Sequence, residues 1–270
     1  MADIAHLRKM SGAGLTDCKS ALIEAENDFE KAMEIIRKKG QAVAAKRCDR
    51  EASEGCVLAA DKGEFAAIIA LKCETDFVAK NSEHIALTQS ILDVAMSKKP
   101  VSLEELLALQ LNDDRSVENH IIDRIGVTGE KMELDFYEFV TGVSTVSYIH
   151  HGNKLCTIVA FNKTLEHQVA RDVAMQVAAM SPVSLTPADV PKKVIDTELE
   201  IACDKARQAG KPENMLDRIA QGALQKFYKE NTLLQQDFIK DSQLTIDQYL
   251  KKHDKDLTVT AFKRVTLNLE

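Results

Sequence analysis

The chain has 270 residues, is 45% hydrophobic and carries a formal charge of −7, enough to bury sizeable cores in two or three domains. That acidic balance argues against a nucleic-acid surface, which needs clustered Lys and Arg; aromatics at 5% with no Trp leave little for base stacking. No apolar run approaches the roughly 18 residues of a membrane span, and six scattered cysteines without a Cys-x-x-Cys read as reduced thiols.

Met1-Ala2-Asp3 opens with an early acid and no Arg/Ser-rich leader, so a cytoplasmic protein is expected. Residues 1–40 read as three short helices. Ile4, Leu7 and Arg8 belong to the first, which Ser11-Gly12-Ala13-Gly14 breaks. Cys18, Ala21, Leu22 and Ala25 line the second, started by Thr16 or Asp17. Asn27-Asp28 caps the third, where Phe29, Ala32, Met33 and Ile36 run to Gly40, an expected C-cap. Gly12-Ala13-Gly14 is not a phosphate loop, for it lacks a preceding strand and a Gly-Lys-Ser/Thr ending. Residues 41–54 interleave Lys46, Arg47, Asp49, Arg50 and Glu51, the pattern of a solvated helical linker.

Glu64 to Cys73 is a buried strand after the turn Asp61-Lys62-Gly63, and Asn81-Ser82 opens a helix carrying Ile85, Leu87, Ile91, Leu92 and Ala95. Between them, Thr75-Asp76-Phe77-Val78-Ala79 forms the tip of a strand-to-helix turn, where function tends to sit. Two readings are open there. Phe77 is a core anchor with Asp76 a turn residue, or the pair is a functional tip.

Hairpin, helix and proline then recur. The first unit runs from Gly55 through the turn at Gly63 to Pro100. The second runs from Val143 through Gly152-Asn153 and the strand Leu155 to Phe161, then the helix Gln168 to Ala179, to Pro182. The expected domains are therefore 55–140 and 141–270, two related α+β halves, of which only the first carries the tip. Between the units lie helical 103–109 and 117–125 and an alternating strand with Met132, Leu134 and Phe136. Within 189–229, Ile195, Leu199, Ala202, Ala206 and Ala209 face Leu216, Ala220, Ala223 and Phe227 across Gly210-Lys211-Pro212, an antiparallel coiled-coil arm. The C-terminal segment adds a helix at 246–250 and a strand from Val259 to Leu269.

No enzymatic constellation is present: no Gly-x-Ser-x-Gly, no Gly-x-x-x-x-Gly-Lys, no His-Glu-x-x-His, and only His150-His151 as a histidine pair. No cofactor or metal is expected. Chemistry alone reaches a multi-domain binding protein.

Leu7-Arg8, Gly12-Ala13-Gly14, Asp17-Cys18-Lys19, Ala21-Leu22, Glu24-Ala25 and Lys38-Lys39-Gly40 together resemble the N-terminal signature of the bacterial elongation factor Ts family. Thr75-Asp76-Phe77-Val78-Ala79-Lys80 is similar to its second signature. Tyr148-Ile149-His150, Ala174-Met175-Gln176, Gly210-Lys211-Pro212 and Lys226-Phe227 are similar to its core and arm. The resemblance covers essentially the whole chain, in order.

It implies an α+β fold with a ubiquitin-associated-like three-helix domain, a two-part core, a coiled-coil arm and a C-terminal segment. It further implies guanine-nucleotide exchange on elongation factor Tu, GDP-bound and nucleotide-free, without bond-making chemistry, nucleic acid or membrane. The implied contacts are Phe77 as a wedge near the partner's magnesium, Asp76 beside it, the flanking Thr75 and Val78, then Arg8, Leu15 and His150. Leu15-Thr16 stand where many members have two methionines, and Asp135-Phe136 stand where many have paired arginines, so no role is assigned to that pair. An adaptor or chaperone-like binder using the N-terminal helices alone, or a hydrolase, are the rival classes.

Overall fold

The computed structural model describes residues 2–111 and 113–268. Its first elements are α1 (Ala2–Ser11), α2 (Leu15–Glu24) and α3 (Phe29–Arg47). Leu7, Cys18, Ala21, Leu22 and Ala32 close a small core among them. The Asp28 carboxylate caps α3 by accepting from Lys31 N at 3.1 Å.

The first α+β unit comprises β1 (Glu54–Lys62), β2 (Phe65–Cys73), α4 (Asp76–Ala79), α5 (Ser82–Lys98), α6 (Leu103–Ala108), α7 (Val117–Thr128) and β3 (Met132–Thr141). β2 is central in an antiparallel sheet of order β1-β2-β3. The β1–β2 turn carries Gly63 at φ +61°, a conformation glycine adopts without strain. The apolar run of β2 is explained by burial on both faces. Phe65, Ala67, Ile69 and Leu71 pack toward Ile91, Leu92 and Ala95 of α5, while Ala66, Ile68 and Ala70 face the other way.

The second unit contains β4 (Ser144–Ile149), β5 (Leu155–Phe161), α8 (His167–Met180), α9 (Lys192–Gln208), α10 (Glu213–Asn231), β6 (Asp237–Phe238), β7 (Asp241–Thr245), α11 (Ile246–His253) and β8 (Val259–Thr266). Its sheet, β4-β5-β8, is again antiparallel with the second hairpin strand central. Cys156, Ile158 and Ala160 of β5 meet the inward face of β2, whereas Val159 and Phe161 pack on Val173 and Val177 of α8. The layers are helix, sheet, sheet, helix. Both covering helices end the same way: Lys99 at φ 52° and Ser181 at φ 44°, each with a proline directly after it.

Several expectations change. α3 does not end at Gly40 but runs on to Arg47, because Gly40 is a crossing point rather than a cap. A Cβ added to Gly126 of α7 would lie 2.6 Å from Gly40 Cα. Val43 and Ala44 beyond it pack against the first core, so the expected solvated stretch begins as a docked helix. Pro212 is the N-cap of α10 rather than its first residue. The buried seam between α9 and α10 holds Ala202, Ala206, Leu216, Ala220 and Leu224, whereas Ala209 and Ala223 are exposed. The β6–β7 hairpin was not expected. Its neighbour Lys240 pairs with Asp172 of α8 at 2.7 Å, and Tyr249 of α11 donates to the same carboxylate at 3.1 Å. The strand expected to reach Leu269 is β8, ending at Thr266; Leu269 lies outside the described residues.

The α3–α7 crossing generates an asymmetric prediction. A Cβ on Gly40 meets Gly126 Cα at 3.5 Å, ordinary contact, whereas the reverse addition collides with backbone. Gly126→Ala is expected to lose about 1–3 kcal/mol in urea unfolding, and Gly40→Ala to be neutral or gain up to about 1 kcal/mol. Equal losses in both variants would contradict this geometry.

Candidate functional site

The stretch after β2 is one turn of helix, α4, rather than an open loop. Thr75 caps it, its Oγ1 accepting from Val78 N at 3.4 Å. Steps of about 100° per residue put Val78 and Ala79 against the first core and leave Phe77 pointing out. Phe77 is 84% exposed, the highest among the large apolar side chains of the described residues, which excludes the core-anchor reading. Asp76 is half-buried and pairs with Lys80 at 2.6 Å, one helical turn on. The hydrogen bond from Lys80 holds its carboxyl below the usual aspartate range, and the field of Lys154 adds to this.

Two carboxylates grip the base of the turn. Glu130, directly after α7 and its left-handed cap Gly129, accepts from Thr75 N at 3.1 Å and from Thr75 Oγ1 at 2.6 Å. Glu74 accepts from Lys131 N at 2.7 Å and from Arg50 Nη1 at 3.0 Å, with Arg47 at 3.7 Å. Those donors, the Lys131 amide foremost, lower the Glu74 carboxyl. Beneath them the Cys73 thiol donates to Thr75 O at 3.2 Å; burial pushes its pKa up to about 12, so it stays a neutral donor.

His150 lies on the β4–β5 turn at the same end of the sheets. Asn153 O in that turn accepts from Val57 N at 2.7 Å, and Lys154 pairs with Glu54, which is opposite Cys73 in register. The His150 ring is exposed, its Nδ1 2.9 Å from Tyr148 Oη. Thr75, Asp76, Phe77, Val78 and His150 are thus brought to one end of the core.

Arg8 and Leu15 are not on that end but on the N-terminal helices. Both are exposed, Leu15 at 59%. Those helices still reach toward the tip: a Cβ on Gly12 would touch Val127 at 3.5 Å, three residues before Glu130. A cleft of about 340 Å³ separates them from α7, lined by Met10, Met33, Ile36, Arg37, Val43 and Val127 among others. Asp135 pairs with Lys72 at 2.9 Å, and Phe136 stays partly exposed beside it on β3. Among the described residues, no group of three or more His, Cys, Asp and Glu is placed to hold a metal, and no helix is long and apolar enough to cross a membrane.

Sequence reasoning missed Glu74 and Glu130. Neither sits in a recognisable pattern, since Glu130 meets Thr75 across 55 residues of chain. It missed His84 as well, which is fully buried under the tip with Nε2 3.1 Å from Leu71 O. Burial lowers its pKa from 6.5; the Leu71 carbonyl opposes this, Arg124 adds to it, and Glu130 opposes it.

The folded protein therefore prefers neutral His84, whereas the unfolded chain takes up a proton near pH 6.5. The stabilisation is complete above that pH and drains as pH falls below it. Urea unfolding between pH 7 and pH 5 should show a loss of up to about 1.4 kcal/mol per pH unit from this group. His84→Gln should be less stable at pH 7 and lack that component of the slope. A variant with the wild-type slope would mean that His84 does not titrate between the two states.

A family model described as elongation factor Ts matches residues 74–268. Similar proteins include elongation factor Ts of Porphyromonas gingivalis, 70% identical over 268 residues, covering 99% of this chain and 98% of that protein. That of Azobacteroides pseudotrichonymphae is 52% identical over 269 residues, with 99% and 98% covered. That of Phocaeicola vulgatus is 46% identical over 327 aligned positions, with 100% and 99% covered. With the model spanning more than half of the sequence and relatives matched almost end to end, the chain belongs to the elongation factor Ts family.

Proposed function

We propose that this protein is a guanine-nucleotide exchange factor that promotes GDP release from elongation factor Tu in translation elongation. The observation that carries the reading is Phe77, a phenyl ring 84% exposed on a turn whose base is tied down by hydrogen bonds. An apolar ring held in water on a rigid support is arranged to enter a partner, and contacts made only in the partner's open state appear in the rate of release rather than in docking.

An exchange factor makes no bond. It binds the open, nucleotide-free partner more tightly than the closed GDP state, and so shifts the population toward release. GDP binding by a GTPase depends on phosphate contacts shared with Mg²⁺. Phe77 is the wedge that displaces side chains near that metal. Asp76, ionised and tethered to Lys80, brings a negative charge to the same place. Val78 and Thr75 support the turn from beneath. His150, on the adjoining turn, makes a second core contact, and Arg8 with Leu15 makes a third on the N-terminal helices. By linkage, GDP or GTP weakens binding of this protein to the partner by the factor with which it weakens theirs. Nucleotide supply then sets the direction.

In this reading α1 to α3 form a ubiquitin-associated-like domain, the two sheets the core subdomains, and α9 with α10 a coiled-coil arm. The partner is engaged in its GDP-bound and nucleotide-free forms, without nucleic acid, in the cytoplasm.

Release of a fluorescent GDP analogue from elongation factor Tu tests this. Wild-type protein should accelerate release, and Phe77→Ala should lose about 2 kcal/mol of that effect, roughly 30-fold in rate. The ring is solvated, so stability should change by less than about 0.5 kcal/mol. Binding without release would favour an adaptor working through the N-terminal helices; full activity in Phe77→Ala would move the wedge elsewhere.

A further inference from the structure

We propose that Glu130 is a positioning residue for exchange: it fixes the direction in which the Phe77 turn projects, and Glu74, directly before that turn, ties its start to the Lys131 amide. This rests on the exchange-factor reading above. Neither carboxylate is placed to touch a partner. Glu74 has a side chain 16% exposed, and Glu130 is half-buried with both oxygens engaged on Thr75.

The chemistry explains why carboxylates stand here. Thr75 presents two donors, its N–H and its O–H, and an ionised carboxylate is all acceptor, so one group satisfies both. With its hydrogen committed to Glu130, the Thr75 hydroxyl keeps its lone pairs for Val78 N and the cap on α4 is set in one rotamer. Glu74 returns the arrangement by accepting from the amide of Lys131, the residue after Glu130. Each segment lends a carboxylate to the other's backbone. A four-residue helix cannot hold its own axis, because one turn repays little of the entropy of ordering it. The clasp supplies that constraint from outside. Arg47 and Arg50, at and just beyond the end of α3, extend it to the N-terminal helices through Glu74.

Substitution at Glu130 then has graded consequences. Gln keeps the length but turns an amide N–H toward one Thr75 donor, losing one bond; Ala loses both. The docking contacts at Arg8, Leu15 and His150 are untouched. The change falls on the rate of release at saturation, not on the concentration needed to saturate.

The experiment measures release of a fluorescent GDP analogue from elongation factor Tu against concentration of full-length wild type, Glu130→Gln, Glu130→Ala, Phe77→Ala and Glu130→Ala/Phe77→Ala. Amide hydrogen exchange on the free proteins accompanies it. Glu130→Ala should lower the saturating rate about tenfold and Glu130→Gln about threefold, with half-saturation moved less than about twofold. The double variant should be no slower than Phe77→Ala, because Glu130 acts through that ring. Amides 76–80 should exchange faster in Glu130→Ala while those of β2 do not. A wild-type saturating rate in Glu130→Ala, losses that multiply with Phe77→Ala, or unchanged exchange at 76–80 each overturn the proposal. If Phe77→Ala itself releases nucleotide as fast as wild type, the wedge reading falls and takes the role in exchange with it. Faster exchange at 76–80 would then show that the clasp exists and that the reading of function was at fault.

Discussion

Strand β2 has no solvent face, and most of the molecule is arranged around that fact. Its odd-numbered residues are covered by α5 and its even-numbered ones by the second sheet, so a nine-residue strand is dry almost throughout. Burying apolar surface on two sides at roughly 25 cal/mol per Å² makes this strand, like β5 behind it, one whose loss the fold would tolerate poorly. Its end at Cys73 is correspondingly fixed. The short helix α4, which begins three residues further along the chain, inherits that end as a rigid base.

That inheritance reconciles two features which pull against each other. Exposing a phenyl ring costs stability or solubility, and a single helical turn has little stability of its own. Here the exposed ring is one residue from Val78, which packs inward, and two from Thr75, whose donors are all engaged. The end of the sheet supplies order that the turn lacks. The second sheet brings the His150 turn to the same end through Asn153 and Lys154, so the site is assembled by strand pairing and sheet stacking rather than by sequence proximity.

Much of this was readable from the chain, and for identifiable reasons. β2 announced itself because two-sided burial leaves an unbroken apolar run, and the hairpin-helix-proline echo was visible because both covering helices end in a left-handed residue before Pro100 or Pro182. The tip stood out because an aspartate and a phenylalanine come close behind a strand. The features that stayed hidden depend on contact between distant segments. Gly40 looks like a helix end locally, and only Gly126 makes it a crossing. Phe77 could be core or surface until its neighbours were placed. Glu74 and Glu130 are ordinary surface-type residues until each finds the backbone amide that follows the other. The β6–β7 hairpin is too short to carry an alternating pattern.

Helix α3, 19 residues or about 28 Å at 1.5 Å per residue, belongs to two neighbourhoods at once. Its first half closes the N-terminal core, and its second half lies across α7 with glycine against glycine. It therefore works as a caliper. The surface carrying Leu15 and the surface carrying Phe77 are spaced by the backbone contact of Gly40 on Gly126, in addition to the connection at 48–53. In the exchange role proposed above, a partner that meets one is presented with the other at high local concentration, and little ordering entropy remains to be lost when the second closes. In that role, lengthening or loosening α3 near Gly40 would leave both side chains in place and still weaken the pair, since the loss would be in the distance between them.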